Sequence, residues 1–153
     1  MLFSVFLFIA VNGAVLPDNN DCKANLGTNT CGGTLTTNHS CESSVVNIRD
    51  MELLKCESVN IFWSYNVGNL TMTIETEYTK QRRPFTIYWE NTYSAFIPHI
   101  YRVVNEIETE ITSEDDKIVQ HSDSKYQVIL KLQGPEKLTF YGAFLNYEVA
   151  PSK

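Results

Sequence analysis

The densest run of reactive side chains lies at residues 106–116. Glu106, Glu108, Glu110, Glu114, Asp115 and Asp116 occur there with no lysine or arginine between them. Carboxylates at that density can hold calcium or attract a cationic partner. Calcium loops usually interleave Gly or Asn to turn the chain, and this run does not, so a solvated strand and loop is the plainer expectation. Glu75, Glu77 and Glu90 make a second carboxylate group only if their strands are neighbours. The basic cluster Gln81-Arg82-Arg83-Pro84 suits a loop between strands, and its proline disfavours cleavage after the arginine pair. His39, His99 and His121 are far apart and form no His-x-x-x-His pair. Ser and Asp occur without a Gly-x-Ser-x-Gly elbow, and no Gly-rich phosphate loop is present. Nucleophile, base and orienting group cannot be named together, so the chain is read as non-catalytic, with no cofactor and no metal.

Four cysteines, Cys22, Cys31, Cys41 and Cys56, stand 9, 10 and 15 residues apart. Zinc ligands usually come in pairs a few residues apart, so two disulfides are expected, in any of three connectivities. Residues 1–13 read MLFSVFLFIAVNG. Their apolar run is far shorter than the roughly 20 residues that span a bilayer, and it has the length of a signal-peptide core. Val11 and Gly13 satisfy the small-residue rule for cleavage after Gly13, which starts the mature chain at Ala14. No later stretch is long and apolar enough to anchor the chain. The sequons Asn38-His39-Ser40 and Asn69-Leu70-Thr71 are glycan acceptors on a secretory route. The formal net charge of −6 offers nucleic acid no basic face and gains nothing from anionic lipid. These features describe a secreted, extracellular protein without membrane insertion.

Strands must position whatever these residues do. The chain has 153 residues, 43% hydrophobic and 12% aromatic, enough for one cored domain. It divides into the signal peptide 1–13, a loop-rich segment 14–30 and a β-sandwich domain 31–153. Leu70, Met72 and Ile74 alternate with Thr71, Thr73 and Glu75. Val59, Ile61 and Trp63 form a similar series, as do Phe85, Ile87 and Trp89 against Thr86, Tyr88 and Glu90. Val128, Leu130 and Leu132 alternate with Gln127, Ile129 and Lys131. Period two marks half-buried strands. Turn signals at Val67-Gly68, Arg83-Pro84 and Gln133-Gly134-Pro135 separate seven or eight of them, the pattern of a sandwich or barrel. In residues 101–116 the β-branched content favours strand over helix, which places Glu106, Glu108 and Glu110 on one face.

The aromatics Phe62, Trp63, Tyr65, Tyr88, Trp89, Tyr93, Phe96, Tyr101, Tyr141 and Phe144 exceed what a small core needs. Alternation sends Phe62 one way and Trp63 the other. Some rings therefore lie near the surface, where Tyr and Trp anchor binding faces. Two covered sheet faces would instead place the rings inside. Tyr88, Tyr93 and Tyr101, around the stretch 84–98, form the expected binding set together with Glu106, Glu108 and Glu110.

Cys31-Gly32-Gly33-Thr34-Leu35-Thr36 resembles the opening of a CUB domain, an extracellular β-sandwich module. Members begin with Cys-Gly-Gly and a strand, and place a second cysteine shortly before a Trp-containing strand. Here Cys56 follows Cys31 by 25 residues, and Trp63 comes next. Residues 70–78 are similar to the strand that follows, and Tyr141-Gly142-Ala143-Phe144-Leu145-Asn146-Tyr147 to the closing one. The resemblance covers residues 31–149. It implies an all-β, disulfide-stapled β-sandwich of CUB-like jelly-roll form, with Cys31 joined to Cys56 and Cys22 to Cys41. It also implies a binding or adhesion module that is not itself catalytic. The chain lacks the Ser-Pro-Asn-Tyr-Pro stretch of typical members and any cysteine after Cys56 for their second disulfide. Gln133-Gly134 replaces the Ser-Asp that helps many members bind calcium.

The functional expectation is a secreted, non-catalytic binding protein that works by surface contact with an extracellular protein or glycan partner. Small effectors of venom, saliva or other secretions fit this description. The rival is a secreted β-barrel carrier of a small apolar ligand, which would enclose a cavity of several hundred Å3. A hydrolase would need His99 or His121 beside a Ser or Asp in a cleft.

Overall fold

The computed structural model describes residues 22–38, 40–65, 67–90, 99–112, 117–137 and 141–153. The leader with its expected cleavage site, His39, Tyr93, Phe96 and the acids at 114–116 lie outside the described residues. Eleven strands are described: β1 (Asn25–Asn29), β2 (Gly32–Thr36), β3 (Ser43–Asn47), β4 (Ser58–Ser64), β5 (Asn69–Ile74), β6 (Phe85–Glu90), β7 (His99–Val104), β8 (Ile107–Glu110), β9 (Lys117–His121), β10 (Val128–Gln133) and β11 (Gly142–Pro151). A 3-10 turn at Glu52–Lys55 and one short helix, α1 (Glu77–Lys80), complete the described elements. No helix among the described residues is long and apolar enough to cross a membrane.

The fold is an all-β sandwich of two sheets. One has the order β1-β2-β4-β11-β6-β9 and the other β3-β5-β10-β7-β8. Pairing is antiparallel except for β2 with β4 and β3 with β5, because the chain alternates between the sheets from β2 to β5. The alternation read from the sequence sets the inward faces. Val59, Ile61 and Trp63 of β4 meet Tyr147, Leu145 and Ala143 of β11 in register, and Leu70, Met72 and Ile74 of β5 meet Leu132, Leu130 and Val128 of β10. All of these are buried, and Trp89 stacks on Tyr147 with ring centroids 6.0 Å apart. Burial of this kind contributes about 1.5–3 kcal/mol per large apolar side chain.

Two disulfides staple the N-terminal part. Cys31 is bonded to Cys56 and Cys22 to Cys41, each pair with Cα atoms 5.6 Å apart. Cys56 belongs to the core and Cys31 packs against it.

Three stretches differ from their reading. Asn25–Asn29, inside the segment read as loop, is an edge strand. Its Asn, Gly and Thr carry little strand preference, so backbone pairing with β2 holds it. That pairing is close: a Cβ at Gly33 would collide with the Gly27 carbonyl. The run over residues 70–78 that is similar to a strand stops being one at Ile74. Thr76 Oγ1 accepts from the Tyr78 N–H at 3.1 Å, and Thr79 Oγ1 accepts from the Thr76 N–H at 3.0 Å, which opens α1 with reciprocal caps. The third difference is in residues 101–116, where the chain reverses at Asn105-Glu106. Both have positive φ, 49° and 66°, as a two-residue hairpin turn requires.

The carboxylates Glu75, Glu77 and Glu90 do not form a group. Glu75 is buried and receives both Nε and Nη2 of Arg49 at 2.8 Å, Glu77 is exposed on α1, and Glu90 belongs to the other sheet. The Glu75 carboxylate raises the Arg49 pKa. Arg102 bridges the sheets: from β7 it donates to the carbonyls of His121 (3.1 Å), Ile129 (3.3 Å) and Gln127 (3.4 Å). Burial lowers its pKa, against the opposing pull of Asp123.

Candidate functional site

In the core strands β4, β5, β10 and β11 the residues out of phase with the buried series point away from the core, so the sandwich has two outer faces. Tyr88 and Tyr101, read as one site, project from opposite ones. Tyr88 lies between the buried Ile87 and Trp89 of the six-stranded sheet, whereas Tyr101 follows the buried Ile100 of the five-stranded sheet. The expected set is therefore divided by the core, and its third tyrosine, Tyr93, lies outside the described residues.

On the five-stranded face, Tyr101 aligns with Glu110 of β8 and Lys131 of β10. The Lys131 ammonium donates to both oxygens of Glu108, at 2.8 and 2.9 Å. His99 Nδ1 lies 2.7 Å from Glu110 Oε1, and the Tyr101 hydroxyl donates to Gln133 Oε1 at 3.3 Å. Of the face expected from Glu106, Glu108 and Glu110, only Glu108 and Glu110 share a side of β8, both exposed and each beside a partner. The turn takes Glu106 off the strand, and β10 and β7 supply partners for the other two. Such exposed pairs contribute at most about 1 kcal/mol and leave little unsatisfied charge for a partner.

The outer face of the six-stranded sheet is different. Phe62 of β4 and Phe144 of β11 are directly opposed across the strands, with ring centroids 5.1 Å apart. Just beyond the strand ends, Tyr65 and Tyr141 meet edge to face at 6.4 Å. Phe144 is 55% exposed and Tyr141 82%. Gly142 makes room for this cluster, because a Cβ there would come within 2.5 Å of the Phe62 ring. Further along the same face, Tyr88 stands between Glu148 of β11 and Val119 of β9. These rings belong to the aromatic surplus of the sequence but stand outside the expected binding set. The usable signal was phase: Phe62 falls between the buried Ile61 and Trp63, and Phe144 between the buried Ala143 and Leu145.

The histidines belong to separate constellations. His99 has an acid beside it, Glu110. His121 has hydroxyls: Thr86 Oγ1 lies 2.9 Å from its Nδ1 and 2.8 Å from Ser152 Oγ. Of the two sequons, Asn38 is exposed and its Oδ1 accepts from the Ser40 N–H (3.0 Å) and hydroxyl (2.8 Å), while Asn69 begins β5 half-buried. Trp63, Trp89 and Tyr147 fill the interior between the sheets. A hollow of about 460 Å3 is lined by Lys23, Ala24, Val45, Val46, Asn47, Met51, Thr71 and Thr73. Comparison with protein-family models and with curated proteins finds no match to this chain.

Proposed function

We propose that the chain is a secreted, non-catalytic binding protein that engages an extracellular protein or glycan through the aromatic end of its six-stranded sheet. One observation carries this reading: the cross-strand Phe62–Phe144 pair, with Phe144 exposed and Phe62 half-buried, and the exposed Tyr65–Tyr141 pair just beyond the ends of the same two strands. Large rings left in water are an unrealised source of burial energy, and contiguous exposed aromatics are typical of contact sites. The filled interior weighs against the carrier alternative, since Trp63, Trp89 and Tyr147 occupy the space a ligand would need. The same reading takes residues 1–13 as a signal peptide and Asn38 and Asn69 as glycan acceptors. It also takes the domain as CUB-like, supported by the Cys31–Cys56 bond ahead of the Trp63 strand.

The test is a screen of the oxidised protein against extracellular-protein and glycan arrays, followed by the variant Phe144→Ala/Tyr141→Ala on any ligand found. Both side chains are exposed, so the variant should keep its fold. Loss of even one anchor of about 2 kcal/mol lowers affinity about 30-fold. A folded variant with unchanged affinity refutes the assignment of this face.

A further inference from the structure

Tyr88 has surroundings that the other exposed rings lack. Ser58, Glu148, Tyr88 and Val119 form one row straight across β4, β11, β6 and β9. A hollow of about 330 Å3 opens over this row, lined by Glu57, Ser58, Tyr88, Glu148, Val149 and Ala150. The Val149 N–H donates to the Glu57 carbonyl at 2.7 Å, which fixes the Glu57 backbone at the rim. Glu57 and Glu148 are both exposed, and neither side chain makes a hydrogen bond or ion pair among the described residues. No lysine or arginine lines the hollow. The contrast with Glu108 and Glu110 is direct, since those carboxylates have cross-strand partners.

Three properties of this hollow select one kind of occupant. Two unpaired carboxylates repel anions and attract a cation. The face of a tyrosine ring carries the negative end of its quadrupole and favours a cation above it. Val149 and Ala150 offer apolar surface to an alkyl stem. A guanidinium suits all three better than an ammonium, because its planar fork can donate to two carboxylates while its face stacks on a ring. We infer that the hollow at Tyr88, Glu57 and Glu148 receives an arginine side chain of a protein partner. This rests on the binding reading above and gives the partner its chemistry.

The probe is Nα-acetyl-arginine N-methylamide, titrated into the full oxidised chain and followed by backbone and side-chain NMR. The expected result is movement of the Tyr88, Glu148 and Val149 resonances, weakened by added salt as screening requires. Glu57→Gln/Glu148→Gln should weaken the response at least about tenfold and leave thermal stability unchanged, because neither group has a partner to lose. The citrulline analogue keeps the shape without the charge and should leave those resonances in place. An equal response to citrulline, or no response to the arginine probe at about 10 mM, overturns the site. A free arylalkylamine that binds at least about tenfold tighter overturns the side-chain source. The probe is a single blocked residue that does not reach Phe144, so its failure leaves the array test of the aromatic pairs standing. Failure of that test likewise leaves this one intact.

Discussion

Removing the disulfides one at a time separates chain entropy from packing. Cys31–Cys56 spans 25 residues and Cys22–Cys41 spans 19. Loop-closure entropy then assigns them about 3.5 and about 3.2 kcal/mol, nearly the same. Burial distinguishes them. Cys56 is 9% exposed within the core and Cys31 packs against that core, whereas Cys22 and Cys41 are half-buried outside it. Truncating the two core sulfurs should add about 1 kcal/mol of lost packing. We expect Cys31→Ala/Cys56→Ala to cost about 4.5 kcal/mol and Cys22→Ala/Cys41→Ala about 3 kcal/mol. A domain of ordinary stability has only about 5–15 kcal/mol in total, so the first variant should be close to unfolding. Urea denaturation monitored by tryptophan fluorescence measures both, since Trp63 and Trp89 are buried in the fold. Each variant should also show a larger m value, because its unfolded chain is less constrained. Equal losses, or a greater loss for the Cys22–Cys41 variant, would refute the burial argument.

Gly142→Ala should drive a methyl group into the Phe62 ring and the Trp63 carbonyl. At about 2 kcal/mol of overpacking this lowers Tm by about 4–8 °C, and an unchanged melting curve contradicts it. Burial pushes the Tyr147 phenol well above its ordinary value of 10.0. Above about pH 10 the unfolded chain therefore loses a proton that the folded chain keeps, and stability falls as pH rises. Tyr147→Phe should flatten that decline in urea midpoints taken between about pH 9 and 11. Arg102→Leu leaves three carbonyls without this donor. It should cost about 1–3 kcal/mol by urea denaturation, with Arg102→Lys less damaging.

The core was legible wherever one face of a strand is buried, because period two then records the face directly. Val59, Ile61 and Trp63 carry that record, as do Leu70, Met72 and Ile74. Segments held by backbone geometry were not legible. β1 has no β-branched run beyond Thr28, and the Asn105-Glu106 turn lacks the glycine that usually announces positive φ. The candidate site suffered from a different limit. Local alternation says that Tyr88 and Tyr101 point away from the core, but sheet membership is a non-local property and decides whether they share a face. Cross-strand register likewise brings Phe62 to Phe144, 82 residues later in the chain. Nothing near either residue encodes that meeting.

The last described strand, β11, occupies an interior place in its sheet, between β4 and β6. A nascent chain emerging in order from a ribosome therefore exposes two separate half-sheets until β11 is released. Only then do β4 and β6 lose their bare edges, which are hazards for association with other chains while they last. All four cysteines lie in the part of the chain that emerges first. Oxidation can thus close both covalent loops before the sheet is whole, leaving a tethered N-terminal half that awaits its central strand. Biosynthesis would then proceed by late insertion of one strand into a waiting slot, and a stall just before β11 should leave a fully oxidised chain that is not yet folded.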